Sequence, residues 1–158
     1  MHGSSIAEDT PEKEVAMQAK DLMTGNVECI PPGMLVRDAA IRMQFLDVGF
    51  LPVCENDRLV GTLTDRDIVL RGVAGGKDMQ SCKARDLMTA DVFWCYEDQT
   101  ADEIAEYMAT KEVRRVLVLD RKKRLTGVIS IGDLAKRGDE QKTGETIKEI
   151  AEAPRQAA

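Results

Sequence analysis

The chain has 158 residues, of which 43% are hydrophobic and 32% charged, a composition typical of a globular protein. Its formal net charge of −6 argues against nucleic acid as a partner, because binding to a phosphate backbone needs a dense basic surface. No stretch approaches the roughly 20 apolar residues that span a bilayer, and the first residues lack the pattern of a signal peptide. We therefore expect a cytoplasmic protein with no membrane partner.

Metal-ligating and catalytic residue types are scarce. The four cysteines show no C-x-x-C spacing and the one histidine is His2, so we expect no metal site. The sequence has no Gly-x-Ser-x-Gly elbow, no Walker loop and no cysteine–histidine pair. We expect a protein that is not an enzyme and requires no cofactor.

An internal repeat organises the chain. The segment AKDLMT at residues 19–24 returns as ARDLMT at residues 84–89, an offset of 65. After one inserted residue the offset becomes 66, and Gly61 then pairs with Gly127. Matches over the whole length of both copies indicate a duplication.

In chain order, each copy predicts the same elements: a short turn, a strand, a helix, two strands joined by a polar turn, and a second helix. In the first copy these are strand 27–30, helix 35–46, strands 50–54 and 59–64, and helix 65–71, ended by Gly72. In the second copy they are strand 92–95, helix 100–110, strands 115–119 and 125–130, and helix 131–137, ended by Gly138. A further amphipathic helix is predicted over residues 143–151, before Pro154. The fold class is α/β (α+β), with β-α-β-β-α order twice.

The segments GTLTDRD and GVISIGD close the two copies where a strand leads into a helix. The hydroxyls of Thr64 and Ser130 can donate to a phosphate, which the helix amino terminus also favours. The carboxylates of Asp67 and Asp133, one turn later, can accept the hydroxyls of a ribose. The same spacing is also that of a helix capping box, and the two interpretations are compatible.

The sequence resembles a tandem pair of cystathionine-β-synthase (CBS) domains, often called a Bateman module. The resemblance rests on the Asp-Leu-Met-Thr segments, the Leu-Pro-Val strand at residues 51–53 and the duplicated closing motif. It covers residues 15 to 138, and LTDRDIV is similar to small stand-alone bacterial members. It implies two units related by a pseudo-twofold axis, with clefts for an adenosyl ligand such as AMP, ADP or ATP. It also implies a homodimer arranged as a flat disc of four units, which signals to another protein.

On this resemblance the chain divides into a disordered segment 1–14, CBS domains 15–74 and 81–138 joined by linker 75–80, and a carboxy-terminal helix and tail 139–158. Carried over by position, Thr64 and Ser130 would contact phosphate, and Asp67 and Asp133 would hold the ribose. The family also uses the residues just before the middle strand, which here are Gly49 and Phe50, and Arg114 and Arg115.

Those last residues make the two clefts unequal. Arg115 suits a phosphate, whereas Phe50 suits a base, and Arg66 stands where the second motif has Gly132. The alternative for Arg114 and Arg115 is a solvated pair at a strand edge.

Two other functions remain open. Cys29 and Cys54 end strands that would run parallel, so they form a possible redox pair if their Cα atoms lie within roughly 7 Å. The alternative is two small buried residues in a reducing compartment. Otherwise the chain is a structural dimeric adaptor with vestigial ligand sites.

Overall fold

The computed structural model describes residues 16–153. The predictions for residues 1–14 and for Pro154 lie outside this range, as does His2. The helices are α1 Ala19–Leu22, α2 Val36–Leu46, α3 Asp65–Asp67 with a π-helical continuation Ile68–Val73, α4 Ala84–Leu87, α5 Ala101–Lys111, α6 Ile131–Arg137 and α7 Glu140–Glu152. The strands are β1 Thr24–Gly25, β2 Phe50–Glu55, β3 Arg58–Thr64, β4 Trp94–Tyr96, β5 Arg115–Leu119 and β6 Leu125–Ser130.

The strands form two sheets, one in each unit, and β1 of the first copy belongs to the sheet of the second unit. In the first unit β2 and β3 make an antiparallel hairpin. In the second unit the order is β1-β6-β5-β4, with β4 parallel to β5 and β5 antiparallel to β6. Mixed helices and strands in this repeated order confirm the predicted fold class.

The first predicted strand is wrong in extent. Over residues 27–30 the structure has a single parallel bridge, between Ile30 and Val53. Asn26 adopts a left-handed conformation with φ of 53°. The chain therefore turns away after β1 and rejoins the first sheet only at Ile30.

The predicted glycine stop of the first closing helix is also wrong. The helical segment continues through Gly72 to Val73. A Cβ atom on Gly72 would lie 2.9 Å from Cδ1 of Leu87, so the glycine is needed for close packing. In the second copy Gly138 does follow the last helical residue, as predicted.

The segment that leads each repeat packs in the other unit. Ala19 and Leu22 of α1 are buried in the core of the second unit, and β1 pairs with β6. The N–H of Ala19 donates to the carbonyl of Gln99 at 2.8 Å. The second copy supplies the hydrogen-bond acceptor for this backbone donor and the core that buries the apolar side chains. Helix α1 therefore joins the two units.

The segment that leads the second repeat packs, in turn, in the first unit. Ala84 and Leu87 of α4 are buried in the core of the first unit. The N–H of Ala84 donates to the carbonyl of Met34 at 2.8 Å, and Thr62 and Thr89 exchange two backbone hydrogen bonds of 2.9 Å. The two units are thus held together reciprocally, which matches the pseudo-twofold relation.

Helix α7 packs against α5 and α6 of the second unit. Ile150 is buried in the second core, and the hydroxyl of Thr143 donates to the carbonyl of Leu134 at 3.2 Å. The predicted amphipathic helix is therefore present and three residues longer at its start than residues 143–151.

Candidate ligand cleft between the two units

Both closing motifs form capping boxes. The N–H of Thr64 donates to Oδ2 of Asp67 at 3.0 Å, and the N–H of Asp67 donates to Oγ1 of Thr64 at 3.0 Å. Ser130 and Asp133 make the same pair of bonds, at 2.8 and 3.3 Å. The structure therefore satisfies the first free N–H groups of both helices from within the motif.

The two boxes differ in what they leave for a ligand. The hydroxyl of Ser130 donates to Oδ2 of Asp133 at 2.8 Å. Thr64 accepts through its hydroxyl oxygen, so its own O–H can still donate. Asp67 is only 2% exposed, whereas Asp133 is half-buried. The hydroxyl is therefore the available group in the first motif, and the carboxylate is the more accessible group in the second.

The glycines of the two closing motifs, Gly61 and Gly127, allow the leading segments to pack closely against β3 and β6. A Cβ atom on Gly61 would lie 2.8 Å from the carbonyl oxygen of Thr89, and one on Gly127 would lie 2.9 Å from that of Thr24. These separations are too short for real Cβ contacts. The glycines of the motif thus make room for the exchanged segments, and Thr89 of the second segment also lines the cleft described next.

A cleft of about 660 Å³ opens between the two units. Its lining comes from both copies and from α7: Phe50, Thr62, Thr64, Arg66, Arg71, Thr89, Asp91, Val92, Phe93, Glu112, Val113, Arg114, Arg115, Leu117, Ile150 and Ala153. The volume lies within the range of about 300–1,000 Å³ common for small-molecule sites.

Five of the residues singled out in the sequence meet in this cleft: Phe50, Thr64, Arg66, Arg114 and Arg115. The lining does not include Gly49, Asp67, Ser130 or Asp133.

Packing explains why Gly49 and Asp67 do not line the cleft. Gly49 lies against Asp65, whose Oδ2 would be 2.8 Å from an added Cβ atom. Asp67 is turned inward by its capping bond and lies 3.8 Å from the guanidinium of Arg71. Gly49 is therefore explained by packing in the first unit, and Asp67 by capping.

Phe50 and Arg115 are equivalent in the repeat and contact each other. The guanidinium carbon of Arg115 lies 4.8 Å from the centre of the Phe50 ring. Equivalent residues can touch only near the pseudo-twofold axis, so this cation–π pair marks the centre of the module. Burial lowers the pKa of Arg115, Asp65 opposes the shift, and Arg114 adds to it. The group stays cationic, because an arginine pKa begins far above neutral pH.

Positive charge is concentrated in the cleft of an acidic protein. Four arginines line it, against the carboxylates of Asp91 and Glu112. Among the four, sequence reasoning missed Arg71, whose Nη1 donates to the carbonyls of Leu87 and Met88 at 3.2 and 3.4 Å. Its spacing of four residues from Asp67 on a helix was the available signal. The cleft thus offers an environment for an anion.

Other cleft residues that were not predicted from the sequence come from segments far apart along the chain. Thr89 enters through its pairing with Thr62, and Ile150 and Ala153 enter because α7 packs on the second unit. The duplicated Met-Thr could have indicated Thr89. No local pattern indicates that the end of α7 borders the cleft.

Cys29 and Cys54 are joined in a disulfide bond, with Cα atoms 5.8 Å apart. The bridge between Ile30 and Val53 brings these neighbours side by side, as parallel strands would. Cys29 is exposed, which excludes the alternative of two small buried residues. Cys82 and Cys95 are buried free thiols, and burial raises the pKa of Cys95 to about 12.

Within residues 16–153 there is no group of three or more His, Cys, Asp or Glu side chains that could hold a metal ion. Over the same range, no helix has the length and apolar character needed to cross a membrane.

The sequence profile of the CBS domain matches residues 19–73 and 84–140, one match per copy of the repeat. The chain belongs to the CBS-domain family. Protein YlbB of Bacillus subtilis (strain 168) is 38% identical over 136 residues, which span 84% of this chain and 90% of that relative. Hypoxic response protein 1 of Mycobacterium tuberculosis is 34% identical over 133 residues, which span 84% of this chain and 92% of that relative.

Solved structures show the same CBS pair. The crystal structure of Hypoxic Response Protein I with two coordinated zinc ions superimposes with a TM-score of 0.69 at 34% identity, covering 77% of this chain and 98% of that one. The CBS domain pair of protein MJ0100, in complex with 5′-methylthioadenosine and S-adenosyl-L-methionine, has a TM-score of 0.66 at 22% identity, covering 77% of this chain and 94% of that one. The likeness to MJ0100 concerns the fold alone.

Proposed function

We propose that this CBS pair is a non-enzymatic regulatory module of the cytoplasm that binds an adenine nucleotide, AMP, ADP or ATP, in the cleft between its units. In this proposal it acts as a homodimer and passes the signal to another protein, with no nucleic acid or membrane as a partner. The proposed site is the cleft that contains Thr64, because four arginines line it.

The observation that carries the proposal is the chemistry of the cleft wall. Arg66, Arg114 and Arg115 come from both copies, so a bound phosphate would be held by both units at once. Guanidinium groups form strong charge-assisted hydrogen bonds with phosphate oxygens. The hydroxyl of Thr64 adds a neutral donor at the start of α3. A ligand with one anionic end fits this part of the cleft.

An apolar part of the remaining wall suits a planar base. Val92 and Phe93 follow the second leading segment, Val113 lies just before β5, and Leu117 lies within it. An adenine ring placed there would be shielded from water while its phosphate reached the arginines. The adenosyl ligands of MJ0100 are a property of that protein. They agree with the ligand class proposed here, which rests on the cleft itself.

The test is a calorimetric titration of the purified chain with AMP, ADP, ATP, NAD and S-adenosylmethionine, repeated with Arg114→Ala. Loss of one charged hydrogen bond costs about 1.5–3 kcal/mol, which corresponds to about 10- to 100-fold in affinity. The matched control is Lys122→Ala, which removes one exposed positive charge of the second unit in the turn between β5 and β6.

We expect one nucleotide to bind, Arg114→Ala to weaken it and Lys122→Ala to leave it unchanged. If no compound binds at millimolar concentration, the motifs are only helix caps and the structural adaptor becomes the better proposal. If both variants weaken binding equally, general charge attraction rather than a defined site accounts for it.

The disulfide supports a second candidate function, a redox-responsive module. In a reducing cytoplasm a disulfide with one exposed cysteine, as Cys29 is, would be open to exchange with cellular thiols. Rapid alkylation of lysed cells, followed by mass spectrometry, measures how much of the Cys29–Cys54 bond exists under oxidising and reducing growth. A bonded fraction that stays constant between the two conditions would exclude this role.

A further inference from the structure

Helix α7 is an addition to the CBS pair. The family match ends at residue 140, where α7 (Glu140–Glu152) begins. The helix nevertheless contributes to the cleft, because Ile150 in its last turn and Ala153 just after it line the wall. One part of the cleft wall thus lies outside the duplicated part of the chain.

The contact that holds α7 on the second unit is small and partly polar. Thr143, Thr146 and Ile150 are buried, and their spacing of three and four residues places them on one side of the helix. The hydroxyl of Thr146 donates to the carbonyl of Ala105 in α5 at 3.5 Å, a long and therefore weak hydrogen bond. The other isoleucine of the helix, Ile147, is 39% exposed. The docking of α7 therefore rests on one large aliphatic side chain, that of Ile150, and on two threonines.

Helix α7 is also weak on its own. Gly144 lies inside the helix, where glycine lowers the helix propensity. A Cβ atom at this position would meet nothing within 4 Å, so packing does not require the glycine. The last turn carries Glu149 and Glu152 and no basic residue, which is unfavourable at the negative end of the helix dipole. Because an isolated helix of 13 residues is marginal in water, we expect α7 to unfold whenever it leaves the second unit.

We propose that α7 is a ligand-responsive strap: a nucleotide bound in the cleft shifts α7 towards the docked helix, and the docked fraction is lower when the cleft is empty. This inference rests on the proposed function and specifies how the same site is regulated. It gives the signal a physical form, which is the fraction of chains in which α7 is docked and helical.

The base is the part of the nucleotide that contacts the strap. Phe93 and Val113 line the cleft and pack against the core cluster that contains Ile150. The four arginines lie on the two repeated units instead, and the acidic last turn of α7 would repel a phosphate. The phosphate can therefore bind whether or not α7 is docked, whereas the contacts of the base with Ile150 and Ala153 exist only in the docked state.

These contacts couple docking to binding. A ligand that binds the docked state more tightly must stabilise that state, and docking must strengthen binding by the same factor. Coupling between two sites is typically about 5- to 150-fold. Because α7 offers the ligand only the side chains of Ile150 and Ala153, we expect a factor near the lower end, about five- to tenfold.

The first measurement compares nucleotide affinity in the wild-type full chain, in Thr146→Asp and in the control Gln141→Asp. Thr146 is buried against α5 and is not among the residues that line the cleft, so a carboxylate there should detach α7 and leave the cleft residues unchanged. Gln141 is exposed on the same helix, and its substitution makes the same change in charge. Titration calorimetry with AMP, ADP and ATP at up to millimolar concentration gives the affinities, and circular dichroism checks the fold.

The second measurement needs no variant and decides the case if Thr146→Asp does not fold. Hydrogen–deuterium exchange of the wild-type chain, read by mass spectrometry, reports how often the amides of α7 open with and without a saturating nucleotide. Helix α2, which does not line the cleft, is the internal reference. Ribose 5-phosphate keeps the phosphate and lacks the base, so it should leave the exchange of α7 unchanged.

We expect Thr146→Asp to weaken nucleotide binding at least about fivefold and Gln141→Asp to leave it unchanged. The nucleotide should slow exchange in α7 by the same factor and leave α2 unaffected. A nucleotide that binds the wild type and Thr146→Asp equally well, or that leaves exchange in α7 unchanged, would overturn the strap and leave the proposed site standing. So would equal weakening by both variants, or equal slowing of exchange by ribose 5-phosphate. If none of the three nucleotides binds the wild type, the proposed function itself is contradicted, and the strap with it.

Discussion

Asp67 is the residue at which capping and ligand binding can be separated most clearly. In the variant Asp67→Ala, the N–H of Thr64 loses the carboxylate oxygen that accepts its hydrogen bond at 3.0 Å. Both residues are buried, at 2% and 9% exposure, so water cannot easily replace that acceptor. An unsatisfied buried donor costs about 1–3 kcal/mol, so we expect the variant to be about 2 kcal/mol less stable with no ligand present.

Asp133→Ala is the matched comparison. It removes the same bond from Ser130, but this box is half-buried, and water can reach the freed N–H. The expected loss is therefore at the lower end for a helix cap, about 0.5–1 kcal/mol. With about 2–4 °C per kcal/mol for a domain of this size, Asp67→Ala should melt about 4–8 °C lower and Asp133→Ala only about 1–4 °C lower.

Asp67→Asn separates the hydrogen bond from the charge. The amide oxygen can still accept from Thr64, and only the ion pair with partly exposed Arg71 at 3.8 Å is lost, so the cost should stay below about 1 kcal/mol. Differential scanning calorimetry of the nucleotide-free proteins measures all three variants. If Asp67→Ala and Asp133→Ala melt at the same temperature, or Asp67→Asn is as damaging as Asp67→Ala, the assignment of a buried capping bond is refuted.

Three further outcomes follow from the packing and the cysteines. Gly127→Ala should cost about 1–3 kcal/mol in urea unfolding, because its Cβ would lie 2.9 Å from the backbone oxygen of β1; wild-type stability would contradict the close approach. Reducing the Cys29–Cys54 bond, which closes a separation of 25 residues, should lower stability by about 3 kcal/mol, and equal melting curves with and without reductant would contradict this. Cys95, whose pKa is raised to about 12 by burial, stays protonated at pH 8 and should resist alkylation in the native protein, whereas rapid labelling seen by mass spectrometry would show that the site opens.

Features that depend on neighbours in sequence were predictable. Strands β5 and β6 and helix α6 have the bounds predicted from the pattern, because apolar alternation and the Ser130–Asp133 spacing are local signals. The arginines before and within β5 were also recognised, and they do line the cleft. The strand expected over residues 27–30 was not found, because whether an extended segment becomes a strand depends on what lies beside it.

The cleft was only partly predictable. Phe50 and Thr64 were identified from their motif positions, but Arg71 and Ile150 were not, because their roles depend on α4 and α7 lying nearby. Asp67 was expected to face a ligand, and the structure has it buried in its cap. A spacing specifies which groups are close along the chain, and burial by a distant segment decides which of them a ligand can reach.

The amino-acid sequence by itself therefore determined the duplication, the order of elements, the two capping boxes and the residues that differ between the copies. Only the tertiary structure decided that the leading segments exchange units, that Phe50 and Arg115 meet near the pseudo-twofold axis, and that α7 packs against α5 and α6 of the second unit. The physical reason is the distance along the chain between the residues that interact. Helix caps and amphipathic periods form between residues a few positions apart, whereas clefts and exposed faces depend on contacts between segments brought together only when the two copies fold.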